Sequence, residues 1–242
     1  MQPKQINSRP HWHRYLAELI GTFFIVFGAC GAVIANSASN GAVTLLGIAF
    51  VPGLMVMVMI YALGPVSAAH FNPAVTLAFA AARRFPWRHV LPYLAAQAIG
   101  ALLASGAHAL LFGHDVAMKV SYGAHIPNVS AAQAIGFEVI YGFLLMFVIT
   151  AMATDARVPP GAAAIAIGMT VALAIMFGGP ISGASMNPIR SLAPALFAGG
   201  AALTSLPIYI VSPIVGAVLA AWLYELMRPG QEHAQSAPAD LV

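Results

Sequence analysis

Charge is scarce in this chain. Of its 242 residues only 7% are Asp, Glu, Lys or Arg, while 60% are hydrophobic. A soluble domain carries roughly 25% charged residues. With a mean hydropathy of +0.86, the chain has more apolar surface than a soluble core of this length could absorb, so the excess must face lipid. Cysteine is almost missing too. The single one, Cys30, lies in an apolar run. That excludes a disulfide framework within the chain and leaves Cys30 as a small buried hydrophobe. No set of His, Cys and carboxylate residues has metal-ligand spacing. No nucleophile and base are spaced to support an intramembrane enzyme. Neither a cofactor nor a metal is expected. A cleavable leader is not expected either: the basic stretch 1–14 runs into apolar sequence with no small-residue cleavage pattern.

What the chain does have is long apolar runs. A spanning helix needs about 20 apolar residues. Six candidates stand out, at 15–36, 43–63, 90–111, 132–153, 161–177 and 204–227. Helix is the only open-chain choice, because a lone strand leaves backbone groups unpaired in lipid. Two shorter apolar segments, 72–82 and 187–197, follow the second and fifth spans. As helices each would be about 16 Å long, half of a hydrocarbon core of about 30 Å. Each opens with Asn-Pro, a good N-cap followed by a residue suited to the first helical turn.

The order is therefore span, span, half-helix, span, twice over. The repeats cover about 15–111 and 132–228, and the whole of 15–228 reads as one domain between tails 1–14 and 229–242. Glu18 in the first span is matched by Glu138 in the fourth. Three spans per repeat is an odd number, so the second repeat enters the membrane inverted. Such repeats place a site near the midplane at their interface. The basic residues divide accordingly. Lys4, Arg9, Arg14, Arg83, Arg84, Arg88, Arg157 and Arg228 fall on one side, and only Lys119 and Arg190 on the other. Excess positive charge marks the cytoplasmic side, which puts both termini there. The sequence pI of about 9.2 then reports topology, and nucleic acid is not an expected partner.

The paired motifs are HFNPAVT, His70 to Thr76, and SMNPIRS, Ser185 to Ser191. One Asn-Pro in a loop is usually only a cap. Two of them, opening half-length apolar helices at corresponding places of two halves, are a specific signal. Over about residues 14–228 the sequence resembles the aquaporin (major intrinsic protein) family. The stretches GPISGASMNP, Gly179 to Pro188, and AVTLAFA, Ala74 to Ala80, look most like its nodulin-like branch. That resemblance implies an all-α membrane fold with six transmembrane helices and two re-entrant half-helices in inverted repeats. It also implies a homotetramer in the lipid bilayer. The short tails suggest a prokaryotic source and hence an inner (plasma) membrane.

The family likeness also assigns roles. Asn72 and Asn187 become midplane donors to the permeant oxygen, and Arg190 becomes the arginine of the selectivity filter. Three further filter positions carry over by spacing: Pro52, Ile175 and Ala184. The water-selective branch has Phe and His at the first two. Non-aromatic residues here imply a wider, more apolar constriction with one arginine edge. Glycerol and neutral metalloid hydroxides such as arsenous, boric or silicic acid suit such a lining, with some water. A water-only pore is the alternative. Pro52 could kink the second span, and a shift of one position would present Val51 or Gly53 instead. Ile189 stands where the family has Ala, and its bulk bears on how the half-helix tips meet.

Glu18 and Glu138 admit two readings. They are proton-coupling groups of a secondary transporter, or they accept hydrogen bonds from the irregular loops before each Asn-Pro. Their matched positions favour the second, as the resemblance implies. His70 is read as a tie for the loop near Asn72, with a pore-lining alternative. His108 reads as packing, and Gly21, Gly28, Gly100, Gly142 and Gly216 as sites of close helix approach.

Overall fold

The computed structural model describes residues 11–228 apart from 156 and 160. The expected tail 229–242 and most of 1–14 lie outside the described residues. Helix α1 is Trp12–Ala38, α2 Thr44–Ser67, α3 Pro73–Ala81, α4 Trp87–Leu111 and α5 His114–Met118. A 3-10 turn at Ser121–Gly123 leads to α6, Ala131–Ala153. Then come α7, Ala162–Gly178, α8, Pro188–Ala198, and α9, Gly200–Met227. Among the described residues there is no strand.

Five helices, α1, α2, α4, α6 and α9, are long and apolar enough to cross a membrane. The sixth expected span, α7, has 17 residues, about 25 Å. Its end is set by a tight turn in which the N–H groups of Ile181, Ser182 and Gly183 all reach Gly178 O. The turn sends the chain back toward the midplane before a full span is complete. One element was not foreseen: the short α5, in a segment with no sustained periodicity.

The repeats are inverted in space. The C-terminus of α3 lies near the end of α9, where Trp222 Nε1 donates to Ala81 O at 3.3 Å. The same end holds the Arg84–Glu225 ion pair, at 2.5 Å, the Tyr15–His89 hydrogen bond, and a bond from Arg228 to Thr154. The C-terminus of α8 lies at the opposite end, where Phe197 packs on Tyr122 with ring centroids 5.5 Å apart.

Packing inside each repeat follows one rule. Gly100 on α4 meets the backbone of Leu19 and Phe23 on α1. Gly216 on α9 meets that of Val139 and Phe143 on α6. Between the repeats, a Cβ on Gly53 of α2 would sit 2.6 Å from Gly168 O of α7, and one on Gly168 2.5 Å from Gly53 O. Corresponding glycines thus face each other, and the pseudo-two-fold axis passes between them. Small residues let backbones approach where the bilayer offers no hydrophobic drive for helix association. Gly142 follows the rule against Pro213, whereas Gly28 meets only the side chains of Met55 and Val51.

A Cβ on Gly216 has backbone, not a flexible side chain, in its way: Phe143 N at 2.8 Å. Gly216→Ala is expected to cost about 1–3 kcal/mol through overpacking, read as a fall in thermal midpoint in detergent. Gly136, with nothing within 4 Å of its Cβ position, is the control. Gly136→Ala should leave the midpoint unchanged or raise it.

Candidate functional site: opposed half-helix tips and an arginine edge

Asn72 and Asn187 each cap a half-helix and each reach across to the other. Asn72 is extended (φ −155°, ψ 121°), and its Oδ1 accepts from Ala74 N at 2.9 Å. Pro73 follows and has no N–H to satisfy. Asn187 Oδ1 accepts from Ile189 N at 3.1 Å and Arg190 N at 3.4 Å. With Oδ1 held by donors, Nδ2 must point the other way. Asn72 Nδ2 donates to Met186 O at 2.8 Å, and Asn187 Nδ2 donates to Phe71 O at 3.0 Å. Each amide therefore spends one N–H on the carbonyl preceding the opposite Asn. A primary amide has two, so one remains on each side. Ile189 turns away from the tips and packs with Val26, Cys30, Ala101, Ala104 and Ala193.

The loops ahead of the tips are wound left-handed. Ala68, Ala69 and Phe71 have φ of 65°, 54° and 50°, and Gly183, Ala184 and Met186 have 102°, 50° and 55°. For residues with a Cβ this costs roughly 1–2 kcal/mol each. Two fully buried carboxylates hold them. Glu18 Oε1 accepts from Ser67 Oγ at 2.7 Å and His70 N at 2.9 Å. Its Oε2 accepts from Phe71 N at 2.7 Å and Gln97 Nε2 at 2.8 Å. Glu138 accepts from Ser182 Oγ at 2.7 Å, from Ser185 N and from Met186 N. Tyr93 and Tyr209 close the set, donating to Ser67 O at 2.8 Å and Ser182 O at 2.5 Å. These serines and tyrosines were missed in the sequence. Aligning its two halves would have paired them.

His70 lies in the first loop, its ring among Phe79, Phe85 and Tyr93. Its Nδ1 is 3.1 Å from Thr76 Oγ1. That hydroxyl spends its proton on Asn72 O and accepts from Gln97, so His70 Nδ1 is the donor.

Arg190, half-buried, lies three residues past Asn187. Its Nη1 donates to Gly123 O at 2.7 Å and is 3.3 Å from His125 Nδ1. Its Nε and Nη2 have no acceptor among the described residues, leaving three N–H groups of the fork open. Ala184 is buried, and Ile175 is half-buried on α7 against the main core. Helix α2 runs unbroken through Pro52. Around Pro52, Val51 faces Gly28 on α1, and Gly53 faces α7. At about 100° per residue, the buried Pro52 then turns inward between α1 and α7. His125 gave no sequence signal, being a single polar residue in an aperiodic loop. Burial, then the Arg190 charge, holds its imidazole well below the ordinary histidine range. Among the described residues no cluster of three or more His, Cys, Asp or Glu could hold a metal.

The family model described as Major intrinsic protein matches residues 5–224. Aquaporin NIP1-1 of Zea mays is 48% identical over 225 residues, covering 92% of this chain and 77% of that protein. Aquaporin NIP1-2 of Arabidopsis thaliana is 48% identical over 227 residues, covering 91% and 76%. These relatives are plant proteins and lend nothing to the prokaryotic source that the short tails suggested. In fold, the X-ray structure of the aquaglyceroporin from Plasmodium falciparum superposes with a TM-score of 0.80. It is 23% identical and covers 89% of this chain and 96% of that one. The inverted half-helices with their paired Asn caps, the family match over nearly all of the chain and these relatives agree: the protein is a multi-pass membrane channel, not an enzyme, and belongs to the major intrinsic protein family.

Proposed function

We propose that the chain conducts small uncharged solutes such as glycerol and neutral metalloid hydroxides, with some water, along a path past Asn72, Asn187 and Arg190. The reciprocal Asn bonds carry this reading. They hold two helix N-termini tip to tip, each with a partial positive charge, and leave one amide donor per tip for a passing oxygen. Such a field opposes cations, and aquaporin-type pores use half-helix ends in this way. Neutral solutes lose little, because donors replace part of their hydration.

Pro52, Ile175, Ala184 and Arg190 form the filter in this reading. Arg190 offers three open N–H groups, and the other three offer small or apolar surface. A polyol with hydroxyls on one side matches that division better than water alone does. Water-selective conduction is the rival within channels. Proton-coupled transport is the rival outside them. Glu18 counts against coupling, because each carboxylate oxygen already accepts two hydrogen bonds. Glu18, Glu138 and His70 are instead supports of the loops. The native assembly is a homotetramer in a plasma membrane. Both termini are cytoplasmic, because the helix ends carrying Arg84 and Arg228 lie on the arginine-rich side.

Stopped-flow light scattering on proteoliposomes tests the filter. Pro52→Phe with Ile175→His should lower glycerol flux about tenfold, equal to about 1.4 kcal/mol on the barrier, with a smaller loss for water. Equal losses would count against these positions. Arg190→Val should raise proton or cation leak, and an unchanged leak would remove Arg190 from the filter. For the supports, Glu18→Gln puts an N–H donor against groups that already donate. It should lower the yield of folded protein and the flux of every solute together. Wild-type uptake that collapses on adding a protonophore would favour coupling instead.

A further inference from the structure

The last four carbonyls of a helix have no partner inside it, and those of α3 all find one. Ala82 N donates to Ala78 O at 2.9 Å, Arg84 N to Phe79 O at 2.8 Å, and Arg83 N to Ala80 O at 3.1 Å. Trp222 Nε1 supplies the fourth, to Ala81 O. Arg83 takes the left-handed position in this stop, with φ 59°. Glycine is the usual residue there, and a side chain adds strain. Yet the Arg83 guanidinium is not what closes the helix, because backbone N–H groups and the indole do that. It is exposed and has no ion-pair partner among the described residues.

Beside it lies an open groove of about 400 Å³, lined by Ala81, Ala82, Arg83, Trp222, Glu225 and Leu226. Glu225 does not make this groove acidic. Arg84 binds both of its oxygens, at 2.5 and 2.7 Å, and Arg228 lies 3.8 Å away. Three arginines against one glutamate leave an excess of positive charge. The other wall is apolar: Trp222 is half-exposed and Leu226 is 83% exposed. The depth is that of lipid headgroups. Trp12, Trp87 and Trp222, the chain's three tryptophans, all lie at this arginine-rich end and are at least half exposed. Tryptophan collects at the membrane–water interface. Helix α3 packs chiefly on α9 and α4, whereas α2, with Leu54, Val58 and Tyr61 exposed, packs on α1 and α7. The groove therefore lies apart from the apolar face of α2, which suits a second copy better.

We infer that this groove binds an anionic phospholipid, with its phosphate on Arg83 and an acyl chain along Trp222 and Leu226. A phosphodiester supplies the negative charge that Arg83 lacks, and its oxygens match the guanidinium fork. The attached chain covers apolar surface that headgroup water cannot satisfy. A zwitterionic lipid fits less well, because its ammonium meets the excess positive charge. The site does not depend on which solute the channel conducts.

The full chain in detergent would be titrated with phosphatidylglycerol, with phosphatidylcholine of the same acyl chains, or with inorganic phosphate. Native mass spectrometry counts bound lipid, and the thermal midpoint reads the stabilisation that binding brings. Phosphatidylglycerol should bind about fivefold more tightly than phosphatidylcholine. Arg83→Gly should weaken phosphatidylglycerol about fivefold and leave phosphatidylcholine unchanged. Its midpoint without lipid should hold or rise, because glycine adopts the left-handed conformation without strain. Arg83→Lys should keep most of the binding, and Leu226→Asn should weaken both lipids together. Arg157→Gln removes an exposed arginine outside the groove and should change nothing. Equal phosphatidylglycerol binding by wild type and Arg83→Gly overturns the site. So does an equal loss in Arg157→Gln, which would show diffuse attraction only. A midpoint shift that inorganic phosphate reproduces would overturn the lipid in favour of a free anion.

Discussion

A helix that begins in the middle of a bilayer leaves its first N–H groups with no water to bind, and in hydrocarbon each unsatisfied group costs several kcal/mol. The rest of the molecule answers that constraint. Asn72 and Asn187 cap their helices with Oδ1 and use Nδ2 to satisfy a carbonyl just before the opposite cap. Neither tip is complete without the other. This reciprocity locks the two repeats together at the half-helix tips. It also leaves one amide N–H of each Asn without a partner among the described residues.

The carbonyls used at the tips belong to Phe71 and Met186, both left-handed. Loops of this shape cost energy, and something must hold them. Burying a carboxylate is itself expensive, by several kcal/mol. Four hydrogen bonds to a charged acceptor, at roughly 1.5–3 kcal/mol each, offset that cost for Glu18. The strained loop and the buried charge therefore stabilise each other, and neither would persist alone. Tyr93 and Tyr209 extend the same logic one step outward, by binding the last carbonyl before each loop turns.

The pseudo-symmetry holds for the scaffold and fails at the constriction. Glutamates, serines, tyrosines and packing glycines come in matched pairs. Arg190 does not, because its counterpart is Val75, and Gln97 beside Glu18 has Pro213 as counterpart. The charged edge thus forms at one end only, where the Gly123 turn and the following loop supply a carbonyl and an imidazole. A symmetric frame holds the two tips together, and an unpaired loop supplies the groups that meet Arg190.

Much of this was legible in the amino-acid order. Apolar runs located the long helices to within a few residues, because spanning length and satisfaction of backbone groups leave few choices. Asn-Pro marked both half-helix starts, because a cap and a donor-free first residue are local needs. The spacing of Glu18 and Glu138 revealed the repeat. The partners of those carboxylates were not legible, nor were the crossed amides, because they join residues far apart in the chain. His125 was invisible for the same reason: nothing local in its loop distinguishes it, and only the folding of that loop over Arg190 brings its ring beside Ser191 and the guanidinium. Helix, cap and inversion follow from short-range chemistry and the bilayer. Which side chains converge on the half-helix tips and on Arg190 is decided by contacts that exist only once the chain has packed.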